Sequence, residues 1–216
     1  MNHTLRTLFF ALIVRPLMMV ILGTNVRRHN LLPEKGPAII VANHNSHLDV
    51  FALMNILGLD RLRHVRPVAA ADYFLTRPLR RWFSTRIVGI IPIDRKQTRR
   101  DKDGRHPLEP ISEALREGAI VILFPEGSRG EPEQLSEFQS GIAHLAKRHP
   151  EAPLTPIFMH GLGKAMPKGE ALIVPFFVDV FVGESIEPTL PKKELMQTLN
   201  DSMADLAKEM PETWID

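Results

Sequence analysis

AIIVANHNSHLDV, residues 38–50, decides the fold. AIIVAN (38–43) is a short β-branched apolar run, the pattern of a buried strand. The polar turn that follows contains Ser46-His47-Leu48-Asp49, which fits the S-x-x-[DE] capping box. A helix is therefore expected from about 49 to 58, ending at Gly58. Outward from this unit the pattern repeats. Further strands are expected at VRPVAAA (65–71), IVGIIPI (87–93), AIVILF (119–124), TPIFMHG (155–161) and ALIVPFFVDVFVG (171–183). Helices are expected at 78–86, 110–118, 135–148 and 191–209, the third with Leu135, Phe138, Ile142 and Leu145 on one face. Strands alternating with helices imply an α/β class: one layered domain with a mixed or mainly parallel sheet flanked by helices.

The 216 residues suit one domain, and a hydrophobic share of 44% is enough for a sizeable core. No cysteine is present, which excludes disulfides, thiolate metal sites and a cysteine nucleophile. The net charge of +2 conceals an asymmetry. Residues 61–105 hold thirteen Arg/Lys against four Asp, whereas residues 183–216 hold eight acids against three lysines. A basic block of this kind attracts phosphates on anionic lipids, nucleic acids or small substrates. Its few aromatics, Tyr73, Phe74, Trp82 and Phe83, make a poor stacking platform for single strands, so no nucleic-acid partner is expected.

The N-terminus is read as a membrane-associating helical segment, residues 1–28, ahead of a main domain, 29–216. LFFALIV (8–14) and LMMVILG (17–23) are separated by Arg15-Pro16. A spanning helix needs ~20 mostly apolar residues, and here a charge and a helix breaker interrupt the run. One kinked or two short helices lying in one leaflet are expected, flanked by Arg6, Arg27 and Arg28. A buried helical hairpin is the alternative.

The turn at 43–49 supports three readings. A capping box explains Ser46 and Asp49 but neither histidine. A metal site built on His44, His47 and Asp49, as in a metal-dependent hydrolase, lacks the spacing of known histidine clusters. A catalytic pair of His44 and Asp49 is the third. Five residues apart on one helix they would point about 140° away from each other, at ~100° per residue. They meet if His44 sits on the turn and Asp49 in the first helical turn, the geometry that capping requires. The carboxylate would then fix the imidazole tautomer, and His44 would act as general base. Glu126-Gly127-Ser128-Arg129-Gly130 misses the first glycine of a G-x-S-x-G elbow, so a covalent serine is disfavoured.

FPEGSRG (124–130) follows the clearest strand, and ligand sites in α/β sheets lie at such C-terminal strand edges. Gly127 lets backbone approach a ligand, Arg129 offers a fork for phosphate or carboxylate, and Glu126 can orient a hydroxyl. GIIPIDRK (89–96) places Arg95 at another strand edge, inside the basic block.

Together these motifs resemble the glycerolipid acyltransferase family, which includes 1-acyl-glycerol-3-phosphate acyltransferases. Asn43 to Asp49 matches N-H-x-x-x-x-D, Gly89 to Arg95 matches G-x-x-x-I-x-R, and Phe124 to Arg129 matches F-P-E-G-[ST]-R. Leu154-Thr155-Pro156-Ile157 is similar to the proline-bearing fourth motif. The resemblance implies His44 as base and Asp49 as its partner. It implies an acceptor site built from Gly89, Arg95, Glu126, Gly127, Ser128 and Arg129. It implies transfer of a fatty acyl group from an acyl thioester, on coenzyme A or acyl carrier protein, to a lysophospholipid at the cytoplasmic membrane surface, with no metal or other cofactor. The chain departs from the family at Phe138-Gln139-Ser140-Gly141, where F-K-x-G is common, and at Pro92, often aromatic there. The acceptor is therefore lysophosphatidate, another lysolipid or a non-glycerol alcohol. A non-catalytic protein of anionic membranes remains the alternative outside enzymes.

Overall fold

The structure is a computed structural model that describes residues 2–94, 106–127, 135–136, 138–166 and 174–210. Its centre is a sheet of seven described strands: β1 (Thr24–Arg27), β2 (Ala38–Ala42), β3 (Val65–Ala70), β4 (Ile91–Ile93), β5 (Ile120–Leu123), β6 (Leu154–His160) and β7 (Val178–Val182). They lie in the order β1-β7-β6-β2-β5-β3-β4. Every pairing is parallel except β6 with β7. β2 takes the middle, and all five of its residues are buried. That is what its unbroken apolar run requires, since a parallel strand is covered on both faces.

Side-chain alternation divides the core into two layers. Ala38, Ile40 and Ala42 face one side with Ile120, Ile122, Ile157 and Met159. Ile39 and Val41 face the other with Val121 and Phe158. The first layer is covered by α2 (Leu48–Leu57) and by the N-terminal helix. The second is covered by α5 (Glu109–Arg116), α6 (Gly141–Arg148) and α8 (Lys192–Lys208). Three short helices, α3 (Ala71–Phe74), α4 (Pro78–Phe83) and α7 (Leu162–Ala165), connect strands. The sheet is thus mixed, mostly parallel and flanked by helices, as the alternating pattern predicts.

The N-terminal helix is continuous over His3–Ile21. It starts as α1 (His3–Phe9) and passes through two π-helical turns, Phe10–Val14 and Leu17–Ile21. These turns flank Pro16, whose missing N–H cannot serve an ordinary helical ladder, so the wider i→i+5 pattern absorbs the break. Phe10, Val14, Met18 and Leu22 form a stripe buried in the first core layer, while Leu8, Leu12, Ile13, Met19 and Val20 are exposed. By length and composition the helix could cross a bilayer, yet one of its faces belongs to the protein core.

Several element boundaries differ from the expectation. Ile87 and Val88 belong to a π-helical turn, Ser84–Val88, that extends α4; only Ile91–Ile93 form the strand. Burial of both side chains holds them in the helical turn, and Gly89, at φ 72°, reverses the chain. Helix α6 starts at Gly141, and Leu135 and Phe138 lie in the preceding irregular chain. Residues 174–177 are irregular, 171–173 lie outside the described residues, and β7 begins at Val178. Strand β1 has no apolar run to announce it, being a polar, half-exposed edge of the sheet.

Candidate active site

The turn after β2 brings the central constellation together. Asp49, in the first turn of α2, is fully buried, and its Oδ2 accepts from Nδ1 of His44 at 2.9 Å. The same oxygen accepts from the backbone N–H of Asn45 at 2.6 Å and of Ser46 at 2.9 Å. The reach back to Ser46 N–H is the return half of a capping box. The forward half differs: the Ser46 hydroxyl accepts from the N–H of Leu48, at 3.3 Å, and donates to the carbonyl of Met166. Asp49 therefore folds the turn around its own carboxylate, and that fold carries His44 to it.

An ionised carboxylate can only accept, so Nδ1 of His44 is the donor in this contact, and in the neutral ring the lone pair is then on Nε2. The imidazole stacks on Phe124, with ring centroids 4.3 Å apart. Asn43 locks the strand ends: its Nδ2 donates to the carbonyl of Met159 at 2.8 Å, and its Oδ1 accepts from Met159 N–H at 2.7 Å. Asn45 Nδ2 donates to the same carbonyl at 3.3 Å. His44 thus stands on a turn tied to both β2 and β6.

The second motif loop packs behind it. Phe124, Pro125, Glu126 and Gly127 make a tight turn closed by Gly127 N–H to Phe124 carbonyl, 3.1 Å, with Gly127 at φ 73°. That left-handed backbone is why glycine stands there. Glu126 is buried, and neither carboxylate oxygen makes a well-formed hydrogen bond. Desolvation raises its pKa to about 7, with a smaller push from the Asp49 charge; nearby backbone N–H groups of His44 and Ser136 pull it back.

His44, Phe124 and Gly127 line a cavity of about 500 Å³. Its other walls are mainly apolar, with Val50 and Phe51 from α2, Val68 from β3 and Phe83 from α4. His47 also lines it, but stacks on Tyr73 at 5.4 Å rather than joining the His44–Asp49 pair. Arg80 completes this side, its guanidinium 4.6 Å over the Tyr73 ring. Among the described residues no group of three His, Asp or Glu converges as a metal-ligand set.

Of the eight predicted site residues, His44, Asp49, Glu126 and Gly127 come together around this cavity. Gly89 is placed differently, at the end of the Ser84–Val88 turn, with its neighbours Val88 and Ile90 lining the cavity. Arg95, Ser128 and Arg129 lie outside the described residues. The clamp at Asn43, the stacking surface of Phe124 and the Tyr73–Arg80 wall were not assigned from sequence. Asn43 and Phe124 had a signal, each as the first residue of a motif, and Asn43 also as a polar residue closing an apolar strand.

The model of the acyltransferase family matches residues 23–160, more than half of the chain. The chain is similar to a 1-acyl-sn-glycerol-3-phosphate acyltransferase of Chlamydomonas reinhardtii, 29% identical over 184 residues, covering 84% of this chain and 52% of that protein. It is also similar to a chloroplastic 1-acyl-sn-glycerol-3-phosphate acyltransferase of Arabidopsis thaliana, 32% identical over 140 residues, 65% of this chain and 36% of the relative. The chain therefore spans about half of these relatives' length, or less. The crystal structure of the 1-acyl-sn-glycerophosphate acyltransferase from Thermotoga maritima has the same fold: TM-score 0.77, covering 99% of this chain and 81% of that one, at 19% identity. The chain belongs to the acyltransferase family.

Proposed function

We propose that the chain is an O-acyltransferase that moves a fatty acyl group from an acyl thioester to the free hydroxyl of a lysophospholipid, with 1-acyl-sn-glycerol-3-phosphate as the acceptor. The observation that supports this most is the 2.9 Å contact of His44 Nδ1 with Asp49, in the wall of a mainly apolar cavity. Nε2 of His44 takes the acceptor's hydroxyl proton as its oxygen attacks the thioester carbonyl. The tetrahedral intermediate collapses, the carbon–sulfur bond breaks, and the thiolate takes the proton back from His44. Asp49 stabilises the transient imidazolium, and no covalent enzyme intermediate forms.

Glu126, kept largely protonated below neutral pH, orients the acceptor. Arg95 and Arg129 hold its phosphate with Gly127 and Ser128, and Gly89 turns the chain between Val88 and Ile90 of the cavity wall. The apolar walls take the acyl chain. The donor is acyl-coenzyme A or acyl carrier protein, and the route calls for no metal or other cofactor. Helix 3–21 seats the protein on the cytoplasmic face of the membrane as a peripheral or monotopic protein, through its exposed Leu8, Leu12 and Val20.

The test is labelled acyl-coenzyme A and acyl carrier protein donors offered with a panel of lysolipids. Phosphatidate formed from lysophosphatidate is the expected result. Release of free fatty acid at the same rate with and without acceptor would overturn the reading.

A further inference from the structure

We infer that α4 is a second docking surface, for an anionic lipid leaflet, separate from the N-terminal helix. Leu79 and Trp82 lie three residues apart on α4, so they share a face, and they are 77% and 48% exposed. A helix that packed only for stability would turn these two side chains inward. Arg77, Arg81 and Arg86 are exposed around them. Over residues 71–88 four arginines face a single acid, Asp72. A tryptophan beside exposed arginines is the chemistry of a lipid headgroup layer, where the indole takes the interface and the cations meet phosphate. Charge complementarity selects an anionic leaflet.

The position agrees. Phe83 of α4 meets Phe9 of the N-terminal helix edge-to-face, centroids 5.2 Å apart, and Asn2 N–H donates to the Arg86 carbonyl. The apolar outer side of that helix, Leu8 and Leu12, therefore belongs to an element packed directly on α4 and its extension. The inner side of α4, through Arg80 and Phe83, lines the His44 cavity. Docking through Leu79 and Trp82 sets this wall of the cavity at the leaflet, so a lipid reaches it without crossing bulk water. None of this depends on the reaction catalysed, so its failure would leave the proposed acyl transfer standing.

Trp82 supplies its own reporter. The chain has two tryptophans, Trp82 and Trp214, and W214F leaves Trp82 alone. This full-length variant is mixed with phosphatidylcholine vesicles, with and without phosphatidylglycerol, carrying brominated acyl chains. The expected result is a blue shift and quenching of Trp82 on the anionic vesicles. R77A/R81A, both at exposed positions, should lower the anionic partition coefficient by roughly tenfold or more. Vesicle-bound protein with unquenched Trp82, or an unchanged partition coefficient in R77A/R81A, would overturn the proposal. So would a lipid-free dimer that L79S/W82S dissociates, because a second copy would then be the occupant.

Discussion

Asp49 does two jobs with one oxygen: it orients His44, and it satisfies two backbone N–H groups of the turn that carries His44. The two roles separate by substitution. D49N retains the shape, but its amide can present a donor where Nδ1–H needs an acceptor, and the imidazole loses its tautomer. Turnover should fall by about 10²-fold or more, with a modest change in melting temperature. D49A leaves buried donors unpaired and should also cost about 1–3 kcal/mol in urea unfolding. Glu126 gives a pH signature. Burial raises its folded pKa to about 7 from the ordinary carboxylate value of 4.5, so the fold binds this proton more tightly than the unfolded chain does. Stability contributed by the protonated group is complete below about 4.5 and is lost as pH rises through 7. E126Q should flatten the decline of melting temperature between these values, read by calorimetry across pH; an identical decline in E126Q would refute this origin. The His44–Asp49 contact was legible because a capping box and a catalytic pair ask for the same turn. The role of Phe124 was not, because stacking on His44 joins two loops more than 70 residues apart, and spacing along the chain carries no trace of it.

At the scale of elements, the N-terminal helix is the one whose character changed most. Its composition reads as a membrane segment, and its exposed side keeps that character. Its other side carries Arg6, which is buried and donates through Nη2 to the carbonyls of Val65 and Val88 at 2.9 and 3.0 Å. An arginine that reads as a membrane flank is in fact a tie to β3 and to the turn before β4. R6M should destabilise the protein by about 2–4 kcal/mol, since two buried carbonyls lose a charged donor. Urea unfolding followed by circular dichroism measures it. The helix–strand boundary at 87–89 departs from its sequence pattern for a related reason: Ile87 and Val88 are apolar and β-branched, as in a strand, and only packing makes them helical.

For the whole molecule, β2 and β5 were readable because burial on both faces forces unbroken apolar runs. The edge was not. β1 is half exposed, so its sequence has no such constraint, and the reversal between β6 and β7 is written in no local pattern. The core also crosses the line drawn at residue 28, since Phe10, Val14, Met18 and Leu22 pack in the same layer as β2 and α2. Fully burying side chains of this kind stabilises by about 1.5–3 kcal/mol each, so together these four rival the ~5–15 kcal/mol net stability of a domain. Deletion of residues 1–22 should therefore abolish cooperative unfolding, observed as loss of a sharp calorimetric transition. A truncated protein that melts as sharply as the full chain would show that the remainder folds alone.

The catalytic use of the pair at the end of β2 is tested most directly by H44A. His44 is partly exposed, and Asp49 keeps its two backbone donors without it, so the variant should fold. With melting temperature and vesicle binding matched to the unsubstituted chain, acyl transfer from labelled acyl thioester to lysophosphatidate should fall by about 10²–10⁴-fold. Turnover retained in folded H44A would contradict His44 as the base.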